Sequence, residues 1–460
     1  MNPTKHCPGP SRRDFLRLGS VALTSAAIAP VTAHRALGAD HVTNDPAVIF
    51  VWLPGGPPHQ DTFDMKPNAP SEYRGAFNPI KTNVPGIEIC EHLPQLARVA
   101  DKFSLIRSVA HKFADHGGGH KRFLTGRDPL QPTGFVNDTP MVGSMVAEVL
   151  KGKKAPVPNY IAGVDNGRQG IDVFSFGAAY LGPQTYPFTV PGDPADAKFE
   201  VRNLSLVKGT EDKLNDRLSL LNRVDKPLRG PDLAGMAVGM DSLRGQALEL
   251  VTAETARSAF DLSRESRKLR ERYGMHRYGQ RALMARRLVE QGATWVTMVM
   301  ENATPPGADL KPNHCYNWDS HAVNCHIFED TQYKLGFLDQ AISALIEDIY
   351  SRGLNKRVLL VVTGEFGRSP KLEYNKNRPG RDHWPQAMSI LTSGACKTGV
   401  VVGSTTARAE VPKDRPLTPN DLWATVFKHL DIDYNGTSFL DGSGRPMPML
   451  PYGTVISELV

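Results

Sequence analysis

The side chains able to do chemistry gather in four places along this chain. The first is Pro54-Gly55-Gly56-Pro57-Pro58-His59-Gln60-Asp61, where two glycines allow a tight bend and an acid follows. A carboxylate there can meet a metal or cap a helix, and it can equally be a plain turn former. The second runs from His111-Lys112 through Asp115-His116-Gly117-Gly118-Gly119-His120-Lys121. Glycines ahead of a helix start leave amide N–H groups open to an anion that His116, His120 and Lys112 can complement, although a mobile surface loop is also glycine-rich. The third is Trp318-Asp319-Ser320-His321, in which Asp319 and His321 can reach one ion, or Asp319 can cap a helix. The fourth joins Gly364-Glu365-Phe366-Gly367-Arg368 to Gly380-Arg381-Asp382-His383-Trp384. Glu365 and His383 are first-row metal ligands by type, and Arg368 offers the fork expected over a phosphate or sulfate. His59, Lys112 and Asp382 are candidate substrate contacts in the same turns.

The elements that position these clusters are read from periodicity. Ala47–Leu53, Phe103–Val109, Ala293–Met300, Arg357–Thr363 and Ala387–Thr392 are short β-branched or aromatic runs, most followed by one of the polar clusters. Helical patterns lie between them at Met141–Leu150, Ser242–Tyr273, Arg277–Gln291, Asp330–Arg352 and Pro419–Leu430. Strands alternating with helices predict an α/β fold with a mainly parallel sheet covered on both faces, and ligands then sit beyond the carboxyl ends of its strands. Leu181–Glu200, with four prolines, reads as a surface loop, and the charged stretch from about 211 to 273 as a helical excursion from one domain spanning 40–460.

The chain has 460 residues, 40% of them apolar, enough for one large core, which excludes a disordered chain or a disulfide-stapled mini-protein. Its formal charge of +6 is concentrated in residues 1–39, which hold five of the basic and one of the acidic side chains. The remainder is near neutral, so there is no general electrostatic reason to bind nucleic acid or an anionic membrane. Arg12-Arg13 ahead of a small-residue stretch, with cleavage-like residues near Ala33–Ala39, resembles a twin-arginine export signal. The expected location is the periplasm or the extracellular space. No later run approaches the ~18–20 apolar residues of a membrane span. Of the four later cysteines, none has CxxC spacing; Cys315 and Cys325 are the nearest pair and would close a small loop.

At these residues the sequence resembles a known family. GGPPHQDTFD (55–64), FSLIRSVAH (103–111) with HGGGH (116–120), YGQRALMARRLVEQGATWV (278–296), WDSH (318–321), TGEFGRSP (363–370) and GRDHWP (380–385) are similar to the DUF1501 family of exported bacterial proteins. The resemblance implies an alkaline phosphatase-like or sulfatase-like core with a two-sided metal site. Carried over residue by residue, Asp61 matches the first acid, Asp319 and His321 the Asp/His pair, Glu365 stands where the central-strand Asp belongs, and His383 matches the last His. Phe366 departs from the pattern by occupying the place of a His ligand. The sulfatase Cys/Ser-x-Pro-x-Arg motif is absent, since Cys90 is followed by Glu91-His92-Leu93-Pro94, and no Ser or Thr stands at the phosphatase nucleophile position. His116, His120 or a metal-held water would have to take that role.

The expectation is therefore an exported hydrolase of phosphate or sulfate esters. Asp61, Asp319, His321, Glu365 and His383 would hold a divalent metal ion (zinc, manganese, iron or calcium), while Arg368 and the 116–120 loop neutralise the oxyanion. Its substrate would be a small-molecule or polysaccharide anionic ester. The alternative is a cell-envelope ligand-binding protein that kept the cleft and lost turnover.

Overall fold

Ala47–Trp52 (β1) and Val358–Thr363 (β6) are apolar up to the terminal Thr363, and each is buried at every position. Such strands need cover on both faces, and they lie at the centre of an eight-stranded sheet. The computed structural model describes residues 44–165, 175–201, 254–305 and 307–460; the leader-like segment 1–39 lies outside them.

The other strands of the sheet are Phe103–Val109 (β2), Tyr160–Val164 (β3), Phe188–Pro191 (β4), Trp295–Val299 (β5), Met388–Gly394 (β7) and Val401–Val402 (β8). In these labels the spatial order is β8-β2-β7-β6-β1-β5-β3-β4. Every neighbouring pair is parallel except those involving β7, which runs antiparallel to both β2 and β6. All five runs read from the sequence form strands of this sheet, within two residues at either end. Leu181–Glu200 is not wholly loop: β4 lies inside it, at the sheet edge, where Pro191 removes no ladder bond that a central strand would need.

Alternate residues of β1 point to opposite layers. Ile49 and Val51 join a core with Leu283, Met284, Leu288, Leu338 and Ile342. These come from the helices Arg277–Glu290 (α5) and Ile327–Ser351 (α6). Val48, Phe50 and Trp52 face the other core, with Phe123, Met145, Trp423 and Phe427, from His116–Thr125 (α1), Val142–Val149 (α2) and Pro419–His429 (α7). Of the expected excursion, 211–253 lies outside the described residues. Its end forms Glu254–Phe260 (α3) and Arg267–Tyr273 (α4), which pack on α5. No helix among the described residues is long and apolar enough to cross a membrane.

The reversal of β7 matters for the site. Parallel β1, β2, β5 and β6 deliver their carboxyl ends to one edge of the sheet, and antiparallel β7 brings its amino end to that same edge. His383-Trp384, which pair with Gly367-Arg368 just beyond β6, therefore meet the turns after β1, β2 and β6.

Candidate functional site

Six side chains from four segments converge at this edge: His116, His120, Asp319, His321, Glu365 and His383. His116 and His120 lie one turn apart on α1 and so share a face. Glu365 leaves the end of β6 and is fully buried. Its two carboxylate oxygens accept the Gly55 N–H at 2.9 and 3.0 Å, and its backbone carbonyl accepts the His111 Nε2–H at 2.7 Å. Gly55 has φ +108°, and a Cβ there would stand 2.6 Å from the Asp319 amide nitrogen, so only glycine lets the turn after β1 come this close.

His116 spans two carboxylates, with Nδ1 2.8 Å from Glu365 Oε1 and Nε2 3.2 Å from Asp319 Oδ2. His120 Nε2 is 3.3 Å from Glu365 Oε1. Asp319 Oδ1 lies 2.8 Å from His321 Nε2 and 3.0 Å from His383 Nε2, and those two ring nitrogens are 2.9 Å apart. Burial by itself would lower the His116 imidazole, but hydrogen bonds and charge from Asp319 and Glu365 outweigh it and hold the group up at about 9. Burial likewise opposes ionisation of Asp319 and Glu365. The surrounding imidazoles overcome it in both, aided at Asp319 by Arg368, and keep both carboxyls well below the usual carboxylate range.

This donor set fits a metal ion. His383 Nδ1–H donates to the Ala114 carbonyl at 2.6 Å, which leaves the Nε2 lone pair of a neutral ring pointing inward, and such outer bonds orient metal-binding imidazoles. His321 Nδ1 faces Asp382 Oδ1 at 3.4 Å, so its Nε2 also points inward. Two imidazole nitrogens and a carboxylate oxygen then face one another with room for a positive charge among them. The buried His116 Nε2 has the 3.2 Å contact with Asp319 Oδ2 as its one polar neighbour among the described residues. Ligand atoms within 4.8 Å of one another form the groups His116–His120–Glu365, His116–Asp319–His383 and His321–Asp382–His383. A further group, Cys315–Cys325–Asp330, is not open to an ion. Its cysteines are disulfide-bonded, and Asp330 accepts from Lys334, Ser320 and the Cys315 amide.

Asp61 stands apart from these groups. It is fully buried and gripped by the Arg381 guanidinium at 2.8 and 3.0 Å, and burial pushes its carboxyl above the ordinary value even against that pairing. Arg381 answers both oxygens that the resemblance assigned to metal. Arg368 is no free fork over an anion either. It is buried and bonds Asp319 Oδ1 at 2.6 Å, the Gly56 carbonyl at 2.9 Å and the Gly55 and Arg381 carbonyls, so it positions Asp319. The glycine amides of α1 are likewise engaged, because Asp115 caps the helix and accepts from Gly117 and Gly118 at 2.9 and 3.3 Å. The glycines serve close packing: a Cβ on Gly119 would lie 2.8 Å from the Phe366 ring.

His59 is buried, with Nε2–H donating to the Ala409 carbonyl at 2.9 Å. Lys112 is exposed and paired with Asp128 at 2.7 Å. Of the three expected substrate contacts only Asp382 reaches the cluster, through His321. Phe366 is fully buried, and its ring centroid lies 4.7 Å from that of His383 and 5.4 Å from that of His116, an apolar wall behind the imidazoles. Cys90 is buried and its thiol is pushed up to about 12, which removes it as a nucleophile. Sequence reasoning missed the supporting contacts from Gly55, His111 and Ala114; the density of histidine around 111–120 was the available signal.

Among solved structures, the chain is similar to the phosphonate monoester hydrolase of Agrobacterium radiobacter, at 10% identity and TM-score 0.38, covering 90% of this chain and 77% of that one. It is similar to the PsFucS1 sulfatase from Pseudoalteromonas sp. at 11% identity and TM-score 0.36, covering 91% and 72%. With the alkaline phosphatase from the Antarctic bacterium TAB5 the identity is 11% and the TM-score 0.35, covering 85% and 99%. None of the curated proteins matches the chain in sequence. Residues 45–460 match the family described as "Protein of unknown function (DUF1501)", and the chain belongs to that family.

Proposed function

We propose that this protein is an exported metal-dependent hydrolase of phosphate or sulfate esters. The observation that carries the proposal is the convergence of His321 Nε2, His383 Nε2 and Asp319 Oδ1 within 3.0 Å of one another, beside a second set made by His116, His120 and Glu365. Mixed imidazole and carboxylate donors suit zinc, manganese or iron, and calcium less well. A divalent ion held there supplies Lewis acidity toward a tetrahedral anion.

The chain's own residues do the rest. Gly55 N–H and Arg368 hold Glu365 and Asp319 in place, and Ala114 fixes the ring orientation of His383. Phe366 keeps water from one side of the imidazoles. His321 and Asp382 form the solvent-facing side, with Asp382 more than half exposed, so a proton can pass there between the site and water. The twin-arginine-like leader supports export.

The test is metal analysis of the folded protein after supplementation with zinc or manganese, followed by assays on p-nitrophenyl phosphate, p-nitrophenyl sulfate and a phosphonate monoester. Stoichiometric metal and chelator-sensitive turnover are expected. Metal far below stoichiometric would overturn the proposal. Phe366 in a ligand's place favours a second reading, an envelope protein that binds a tetrahedral anion without turning it over. Stoichiometric metal with anion binding and no hydrolysis on any of the three esters would select that reading.

A further inference from the structure

A polar cleft of about 630 Å³ is lined by Asn313, Val323, His326 and the turn from Asn375 to Arg378. Its walls are two chain segments that also carry candidate ligands. One is the stretch 313–326, within which the disulfide Cys315–Cys325 closes a loop that includes His321; the other is the hairpin Glu373–Asn375/Arg378–Gly380, which leads directly into Asp382-His383. The two are tied together: Arg378 donates to the carbonyls of Ala322 at 2.7 Å and Val323 at 2.6 Å, and the Arg381 amide donates to the Ser320 carbonyl at 3.2 Å. Whatever fills the cleft therefore touches the same segments that present His321 and His383.

The cleft chemistry is specific. Asn375 and Asn377 place two carboxamides on it, each able to donate and accept at once, as vicinal hydroxyls require, while the Asn313 amide already donates to Glu329 at 3.3 Å. Lys376 adds a free positive charge and His326 a further ring, while the Arg378 guanidinium is held by the Ala322 and Val323 carbonyls. Lys376 makes no ion pair among the described residues and is exposed at the hairpin tip. Lys376 and Asn377 both have positive φ, 49° and 68°, the two-residue turn geometry that sets a tight hairpin, so the tip has a defined shape. An apolar substrate body would leave these amides unpaired, and a bare inorganic ion would leave most of the cleft empty.

We propose that this cleft is the subsite for the non-reacting part of the substrate, and that this part is an anionic sugar chain whose hydroxyls Asn375 and Asn377 bind and whose negative charge Lys376 meets. The assignment rests on the hydrolase reading for its orientation toward the ester, but its binding chemistry is separable from the metal. The experiment is isothermal titration of the full chain with a sulfated galactan tetrasaccharide and its unsulfated counterpart, alongside zinc titration. The variants are Asn375→Ala, Lys376→Ala and Asn377→Gly, the last keeping a residue that tolerates φ +68°.

The sulfated tetrasaccharide is expected to bind, and the Asn375→Ala/Asn377→Gly double variant to weaken it roughly tenfold through lost hydrogen bonds. Lys376→Ala should reduce the preference for the sulfated over the unsulfated form. Zinc affinity and melting temperature should stay at the wild-type level in all three. Absence of tetrasaccharide binding, or wild-type affinity in the double variant, would overturn the subsite. Failure of zinc binding with the cleft variants still losing sugar affinity would instead overturn the metal reading and leave the subsite standing.

Discussion

His321 Nε2 and His383 Nε2 lie 2.9 Å apart with Asp319 Oδ1 within 3.0 Å of each, so two imidazoles from distant segments share one carboxylate oxygen. A proton or a metal ion is needed between them, and the two possibilities separate by experiment. If the ion is the partner, His383→Ala or Glu365→Ala lowers zinc and manganese affinity by more than about tenfold, since even outer-shell changes cost 10–100-fold, and the fold persists. Titration of each variant beside a thermal melt checks this. Unchanged affinity with a large fall in melting temperature would sink the metal assignment.

Asp61 gives the converse result. Its pairing with Arg381 is wholly buried, so Asp61→Asn leaves a buried guanidinium without its counter-charge and costs about 3–5 kcal/mol. Zinc affinity should be retained, because Asp61 is outside the ligand groups. Urea unfolding and metal titration of this one variant test both halves; a selective loss of metal would restore Asp61 to the site.

Acid stability is set in part by His59 and His111. Burial lowers both imidazoles from 6.5 to about 4. Above pH 6.5 both are neutral in folded and unfolded chains alike. As pH falls from 6.5 toward 4 the unfolded chain takes up protons that the folded chain refuses, so stability falls with pH in that window, by up to about 3 kcal/mol for each group. His59→Gln keeps a donor toward Ala409 and removes the titration. Its melting temperature should fall less between pH 7 and pH 4.5 than that of the wild type; an equal fall would show that His59 does not contribute.

The disulfide Cys315–Cys325 encloses both Asp319 and His321, with Cα atoms 5.8 Å apart. Replacing both cysteines by serine opens this loop and should weaken zinc binding, since two ligands then lose their tether. The loss of stability should be on the order of 2–3 kcal/mol, as for other short disulfide loops. Cys90 and Cys396 are free thiols, so thiol counting before and after reduction checks the pairing. Wild-type zinc affinity in the double serine variant would show that the loop holds its shape without the bond.

How much was legible follows from the range of each signal. β6 was readable because a strand buried on both faces is a continuous apolar run, and α5 and α6 because their apolar positions recur at helical spacing. β4 was not, because an edge strand tolerates Pro191 and so carries the signature of a loop. His116, His120, Asp319, His321, Glu365 and His383 were all legible as candidates, by type and by position near strand ends. Their division into ligands and helpers was not.

The sequence by itself determined the α/β class, the order of most elements and the turns in which the reactive side chains sit, since periodicity and turn chemistry are local properties. Tertiary structure alone decided that β7 runs backwards, and it is this reversal that carries His383 to the same edge as Glu365. Strand direction depends on which neighbour a strand pairs with, and no local pattern records that. Tertiary structure also decided which arginine meets which acid: Arg381 closes on Asp61 and Arg368 on Asp319, across 320 and 49 residues of chain. A buried charge must find a partner in space, and proximity in space between residues that far apart is created only when the sheet has formed.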